Sequence, residues 1–138
     1  MSSAPAQLES INVINAVGCQ PEYTIKTNDA NKAYLQAYLD QPADVTTYVR
    51  LPRNRWPQSW VKKGYKDPVV PLILALYGHP DSGGHWEKHC VSVLTPLGWE
   101  AVNGWPSVFW HLKKKALLVV YVDDFALAGH AKDQDALW

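Results

Sequence analysis

Apolar positions recur at helical spacing in Leu8, Ile11, Ile14 and Val17, which predicts an amphipathic helix over residues 4–17 with Gly18 as its stop and Pro21 just beyond. Residues 22–27 alternate weakly and predict a strand that delivers the chain to Asp29. A second helix is expected from Asn31 to about Asp40, where Tyr34/Tyr38 and Leu35/Leu39 stack at four-residue spacing, so Asp29 falls at a strand-to-helix junction. The β-branched run 46–51 predicts a strand ended by Pro52. Residues 69–76 are apolar and lead into the turn-rich run Tyr77-Gly78-His79-Pro80-Asp81-Ser82-Gly83-Gly84, which opens the longest helix. Trp86, Cys90, Val93/Leu94 and Leu97 mark its apolar stripe and Gly98 its end. Short strands follow at 99–102 and 107–112, then a Lys113-Lys114-Lys115 turn. A hairpin closes the pattern, with strands 116–122 and 125–129 and Asp123-Asp124 as its tight turn. Strands and helices mix without strict alternation, which predicts an α+β fold, a sheet with helices packed on one face.

At 138 residues the chain fits one domain, and seven Trp and seven Tyr within a 47% hydrophobic composition argue against disorder. Thirteen cations balance thirteen anions, so no global field draws the chain to a polyanion, and a nucleic acid would have to meet a local patch. One segment offers such a patch: Arg50, Arg53, Arg55, Lys62, Lys63 and Lys66 interleave with Trp56 and Trp60. That is either a solvated loop with Trp anchors or a surface that follows phosphates and stacks on bases. Two cysteines suit a reducing compartment, and neither a membrane span nor a secretory leader is visible, so an intracellular location is expected.

The sharpest chemical feature is Asp123-Asp124 in an otherwise apolar run. Burying unpaired carboxylates is costly, so the pair is either exposed at a turn or neutralised by protons or metal. If the strand ending at Asp29 neighbours this hairpin, three oxygen donors converge, a set suited to Mg²⁺ (or Mn²⁺). Two such ions would serve an in-line phosphoryl displacement. His85, His89 and Cys90 could supply part of a zinc site, but no second ligand pair follows at zinc-like spacing. Ser82 lacks the nucleophile-elbow spacing, and no phosphate-cradling glycine loop is present.

Tyr121-Val122-Asp123-Asp124 within residues 117–129 resembles the catalytic hairpin of reverse transcriptases, specifically those of copia-type LTR retrotransposons. The order of segments carries the resemblance further. Asp29-Ala30-Asn31-Lys32-Ala33-Tyr34-Leu35-Gln36 is similar to the family's first catalytic motif, Thr47-Tyr48-Val49-Arg50-Leu51-Pro52 to its next strand, and Ala75-Leu76-Tyr77-Gly78 with Trp86 to its template-facing turn and helix. The resemblance implies a palm-like antiparallel sheet and an RNA-directed DNA polymerase, a nucleotidyltransferase in which Asp29, Asp123 and Asp124 are catalytic and hold two Mg²⁺ ions. It implies nucleotide contacts from Ala30, Asn31, Lys32, Ala33 and Tyr34, the last as a gate against a ribose 2′-hydroxyl. Primer or template contacts are implied for Tyr121, Val122, Asp81, Ser82 and Gly83. The implied partners are an RNA or DNA template–primer, a dNTP and other parts of the polyprotein such as integrase and RNase H, with no membrane; the full element would reside in a cytoplasmic virus-like particle. Residues 1–138 are expected to be a single partial domain, a palm with part of the fingers, lacking upstream fingers, thumb and RNase H. His79-Pro80-Asp81 stands where many relatives carry Gln or Lys. The alternative expectation is a non-catalytic, palm-derived nucleic-acid-binding or interaction module.

Overall fold

The computed structural model describes residues 6–39 and 45–138. Its centre is a five-stranded antiparallel sheet in the order β1-β7-β6-β5-β4, formed by β1 (Tyr23–Asp29), β4 (Trp99–Ala101), β5 (Val108–His111), β6 (Ala116–Tyr121) and β7 (Asp124–His130). A separate two-stranded ribbon joins β2 (Tyr48–Arg50) to β3 (Val69–Pro71). The helices are α1 (Leu8–Gly18), α2 (Gln58–Lys62), α3 (Ser82–Leu94) and the terminal turn α4 (Gln134–Leu137). The α+β class and antiparallel sheet therefore match the pattern of the chain. Among the described residues no helix is long and apolar enough to cross a membrane.

Strand β6 is the middle of the sheet, and its first five residues, Ala116 to Val120, are all buried. Alternate side chains serve opposite layers. Ala116, Leu118 and Val120 pack with Trp86, Cys90, Trp99, Phe109 and Leu127 beneath α3. Leu117 and Val119 pack with Ile14, Val108 and Ala128 beneath α1. Each fully buried Leu or Val side chain contributes about 1.5–3 kcal/mol of transfer free energy, so this strand roots the hairpin firmly. The expectation of helices on one face is thereby corrected: α1 and α3 cover opposite faces. The physical sign is the apolar run itself, because a strand wetted on one side alternates, whereas one covered on both does not.

The expected helix from Asn31 is also corrected. The chain makes only a 3₁₀ turn, Ala33–Gln36, entered through Lys32 at φ +56°, and then runs extended so that Tyr38 bridges Leu74. The Leu39 N–H donates to Ile73 O and the Ala75 N–H to Ala37 O, so pairing with the 72–75 segment takes the backbone bonds a helix would have used. The start of the first predicted helix (Ala4) and the end of the second (Asp40) lie outside the described residues. The long helix begins at Ser82, continues as a 3₁₀ turn through Leu97 and stops where Gly98 adopts φ +92°, a left-handed conformation suited to glycine. Of its expected stripe, Trp86 and Cys90 are buried and Leu94 half-buried, while Val93 and Leu97 are exposed.

Candidate functional site

The hairpin tip differs by one residue from the expected turn. Tyr121 pairs with Asp124, so the two turn residues are Val122 and Asp123, and Asp124 already belongs to β7. Val122 sits at φ +56°, a conformation that costs a side-chain-bearing residue about 1–2 kcal/mol and is least suited to a β-branched one. Two tethers hold it there. The Trp86 indole N–H donates to the Val122 carbonyl at 2.7 Å, and the Ala30 N–H donates to the Asp123 carbonyl at 2.6 Å. Trp86 is itself fixed, buried beneath α3, stacked on His89 at 5.6 Å and edge-on to Phe125 at 6.4 Å.

The second tether joins the tip to the end of β1. Strands β1 and β7 pair along their whole length, which places Asp29 directly opposite Asp124. Register puts both on the sheet face that α1 covers farther along, since Ile25 lies opposite Ala128 four residues away in the same pairing. The two strands are thus neighbours, and Asp29 stands beside Asp124 with Asp123 next to it in the turn. The Asp124 carboxyl is pushed above the usual carboxylate range, first by loss of surrounding water, then by the charges of Asp123 and Asp29 and a hydrogen bond with Asp29. The Tyr34 hydroxyl is raised too, by desolvation first, then by Tyr77 and by the charge of Asp123.

Three mutually repelling carboxylates are hard oxygen donors, and their chemistry suits a divalent cation of the Mg²⁺ class. They do not form a closed cage: among the described residues no group of three or more His, Cys, Asp or Glu side chains is gathered in a geometry that would hold a metal.

Other expected site residues line a cleft on the α3 side of the tip, and none of the three carboxylates is among its lining residues. The cleft, of about 140 Å³, is lined by Tyr34, Gly83, Trp86, Cys90, Tyr121 and Val122. It unites one residue expected to face a nucleotide with three expected to face primer or template. The Tyr34 ring packs on Tyr77 with centroids 4.6 Å apart. Asn31 and Lys32 are exposed and Ala30 half-buried, and of the three Ala30 is bonded to the tip through its N–H.

Two expectations are corrected. Ala33 is wholly buried in the core and offers no surface to a triphosphate. Ser82 is 1% exposed, and its hydroxyl both donates to Leu76 O at 2.7 Å and accepts from the Leu76 N–H at 2.9 Å, so it staples the turn before α3 instead of meeting a template. Asp81 precedes α3, its N–H donating to His79 Nδ1 at 3.2 Å. His85 and Cys90 are buried, and desolvation pushes the Cys90 thiol up to about 12, a poor state for a thiolate ligand.

The residue that sequence reasoning undervalued is Trp86. Its helical phase marks it as core, but nothing in its spacing announces that its N–H reaches the hairpin carbonyl 36 positions away. No protein-family model matches the chain, and no solved structure matches it.

Proposed function

We propose that the chain is the palm portion of an RNA-directed DNA polymerase of the copia-type retrotransposon kind, which transfers a nucleotide to a primer 3′-hydroxyl. The observation that carries this reading is the pairing of Asp29 with Asp124 across β1 and β7, with Asp123 in the adjoining turn tied to Ala30. Antiparallel strand order supports it as well, because the hairpin strand β7 lies between β1 and its own partner β6.

Asp29, Asp123 and Asp124 would hold the divalent ions, which when bound lower the pKa of the attacking hydroxyl and offset charge on the leaving pyrophosphate. The chain's own parts have separate tasks. Tyr34 walls the cleft beside the tip and limits what sits at the sugar edge of an incoming nucleotide. Tyr121, half exposed beside Asp124, offers a ring to the primer terminus. Trp86 and Ala30 keep the strained tip in place, so the backbone that carries the carboxylates is fixed before the ions and nucleotide arrive.

Primer extension on an RNA template with Mg²⁺, comparing the native chain with Asp123→Asn, tests the reading. Incorporation by the native chain and its loss in the variant are expected; equal incorporation by both sinks the metal role. Mg²⁺ binding followed by thermal shift gives an independent readout, with a rise in Tm expected for the native chain alone.

A further inference from the structure

We propose that the segment between β2 and β3 is a binding site for single-stranded nucleic acid, with Trp60 and Tyr65 as its base-stacking wall and the surrounding Arg and Lys side chains as its phosphate track. This site is separate from the carboxylates and stands whether or not they catalyse.

Charge segregation comes first. Residues 50–67 contain six of the thirteen cations but only one of the thirteen anions, Asp67, so a neutral chain carries +5 here and −5 elsewhere. All six cations are exposed. Arg50 is paired with Asp67 at 2.7 Å, and the Arg53 guanidinium lies 5.8 Å from the centre of the Trp56 ring. Arg55, Lys62, Lys63 and Lys66 have no ion-pair partner among the described residues. A cluster of like charges with so little internal compensation is a site for a polyanion.

The aromatic wall is built by the end of α2. Gly64, at φ +70°, donates its N–H to Val61 O at 3.1 Å, and the Tyr65 N–H reaches back to Trp60 O at 3.2 Å. This is the Schellman pattern, in which the residue after the glycine meets the residue one helical turn before it. Trp60 and Tyr65 accordingly contact edge to face, with centroids 6.3 Å apart. They line an open cleft of about 490 Å³ with Lys66, Asp67, Pro68 and Val69, a size within the roughly 300–1,000 Å³ range of ligand sites. Tyr65 is 49% exposed, which is more than core packing asks of such a residue.

Flat ring faces beside unpaired cations suit unstacked bases on a phosphate strand, and a duplex hides those faces. A lipid surface fits less well: α2 is only five residues long, too short to lie as an amphipathic helix in a membrane interface.

Fluorescence anisotropy with labelled 12-mers of oligo(U) and oligo(dT), a duplex of equal length and phosphatidylserine vesicles as competitor tests the site on the full chain. Both single strands are expected to bind more tightly than the duplex. Tyr65→Ala should weaken them about tenfold, and Lys62→Gln with Lys63→Gln should reduce the salt slope by about 1.4. Asp123→Asn in EDTA should leave the affinity unchanged, which separates this site from the proposed polymerase centre. An unchanged affinity in Tyr65→Ala, confirmed folded by circular dichroism, would overturn the stacking wall. Preference for duplex, displacement by vesicles at equal charge, or loss of binding in Asp123→Asn would each overturn the assignment.

Discussion

Trp86 and Val122 are joined by a 2.7 Å hydrogen bond from indole N–H to backbone carbonyl, which ties the long helix to the hairpin tip. Trp86→Phe keeps most of the aromatic volume but leaves that carbonyl without its donor. A loss of about 2 kcal/mol is expected, read as a fall of several degrees in Tm. An unchanged Tm would show that the bond does not hold the tip.

Val122 itself is strained at φ +56°. Asn tolerates the left-handed region far better, while a half-buried Val surrenders little packing. Val122→Asn should therefore stabilise the chain by about 0.5 kcal/mol. Denaturant unfolding checks the sign: a clear drop in midpoint would mean that the side chain matters more than the backbone.

The acidic groups predict opposite pH behaviour. The folded state raises the Asp124 pKa above its ordinary value, so it favours the protonated form, and stability falls as pH rises from the ordinary value through the raised one. Asp133 is lowered by its hydrogen bond from Lys114, 2.8 Å away, so its contribution is present above 3.8 and disappears as pH falls through the lowered value. Asp124→Asn should raise Tm at neutral pH and lose that gain in acid. Asp133→Asn should lower Tm at neutral pH and become silent in acid. Mg²⁺ should raise the Tm of the native chain but not that of Asp124→Asn.

Tyr34 lines the cleft beside the tip and packs on Tyr77. On the proposed function, Tyr34→Ala should raise ribonucleotide use relative to deoxyribonucleotide by about tenfold or more. Single-nucleotide incorporation with each substrate measures the ratio, and an unaltered ratio would remove the gate from this position.

Gly64 has open space where a side chain would go, so only its positive φ demands glycine. Gly64→Ala should cost about 1 kcal/mol and loosen the Trp60–Tyr65 contact, with a matching loss of oligonucleotide affinity. Unchanged affinity despite the lost stability would separate the turn from the site.

Much of this arrangement is legible in the residues. The apolar run into Tyr121-Val122-Asp123-Asp124, the strand into Asp29 and the Gly98 stop follow from periodicity and turn chemistry alone. The failures have particular causes. Tyr34/Tyr38 and Leu35/Leu39 have helical spacing, yet long-range pairing with the 72–75 segment outweighs a weak local preference. The turn register slipped by one because a valine at positive φ is a poor choice locally and persists only through two tertiary tethers. Ser82, between turn residues, looked available, and only the fold shows its hydroxyl committed at both ends.

The pairing of β1 with β7 also fixes an order of events during synthesis. Asp29 leaves the ribosome well before its partner Asp124, and among the described residues β1 has no other neighbour in the sheet. The nascent chain must therefore carry β1 as an unpaired strand until β7 has emerged. The carboxylate cluster closes only at that late stage, so a chain released before β7 can hold most of its core residues and still have no site.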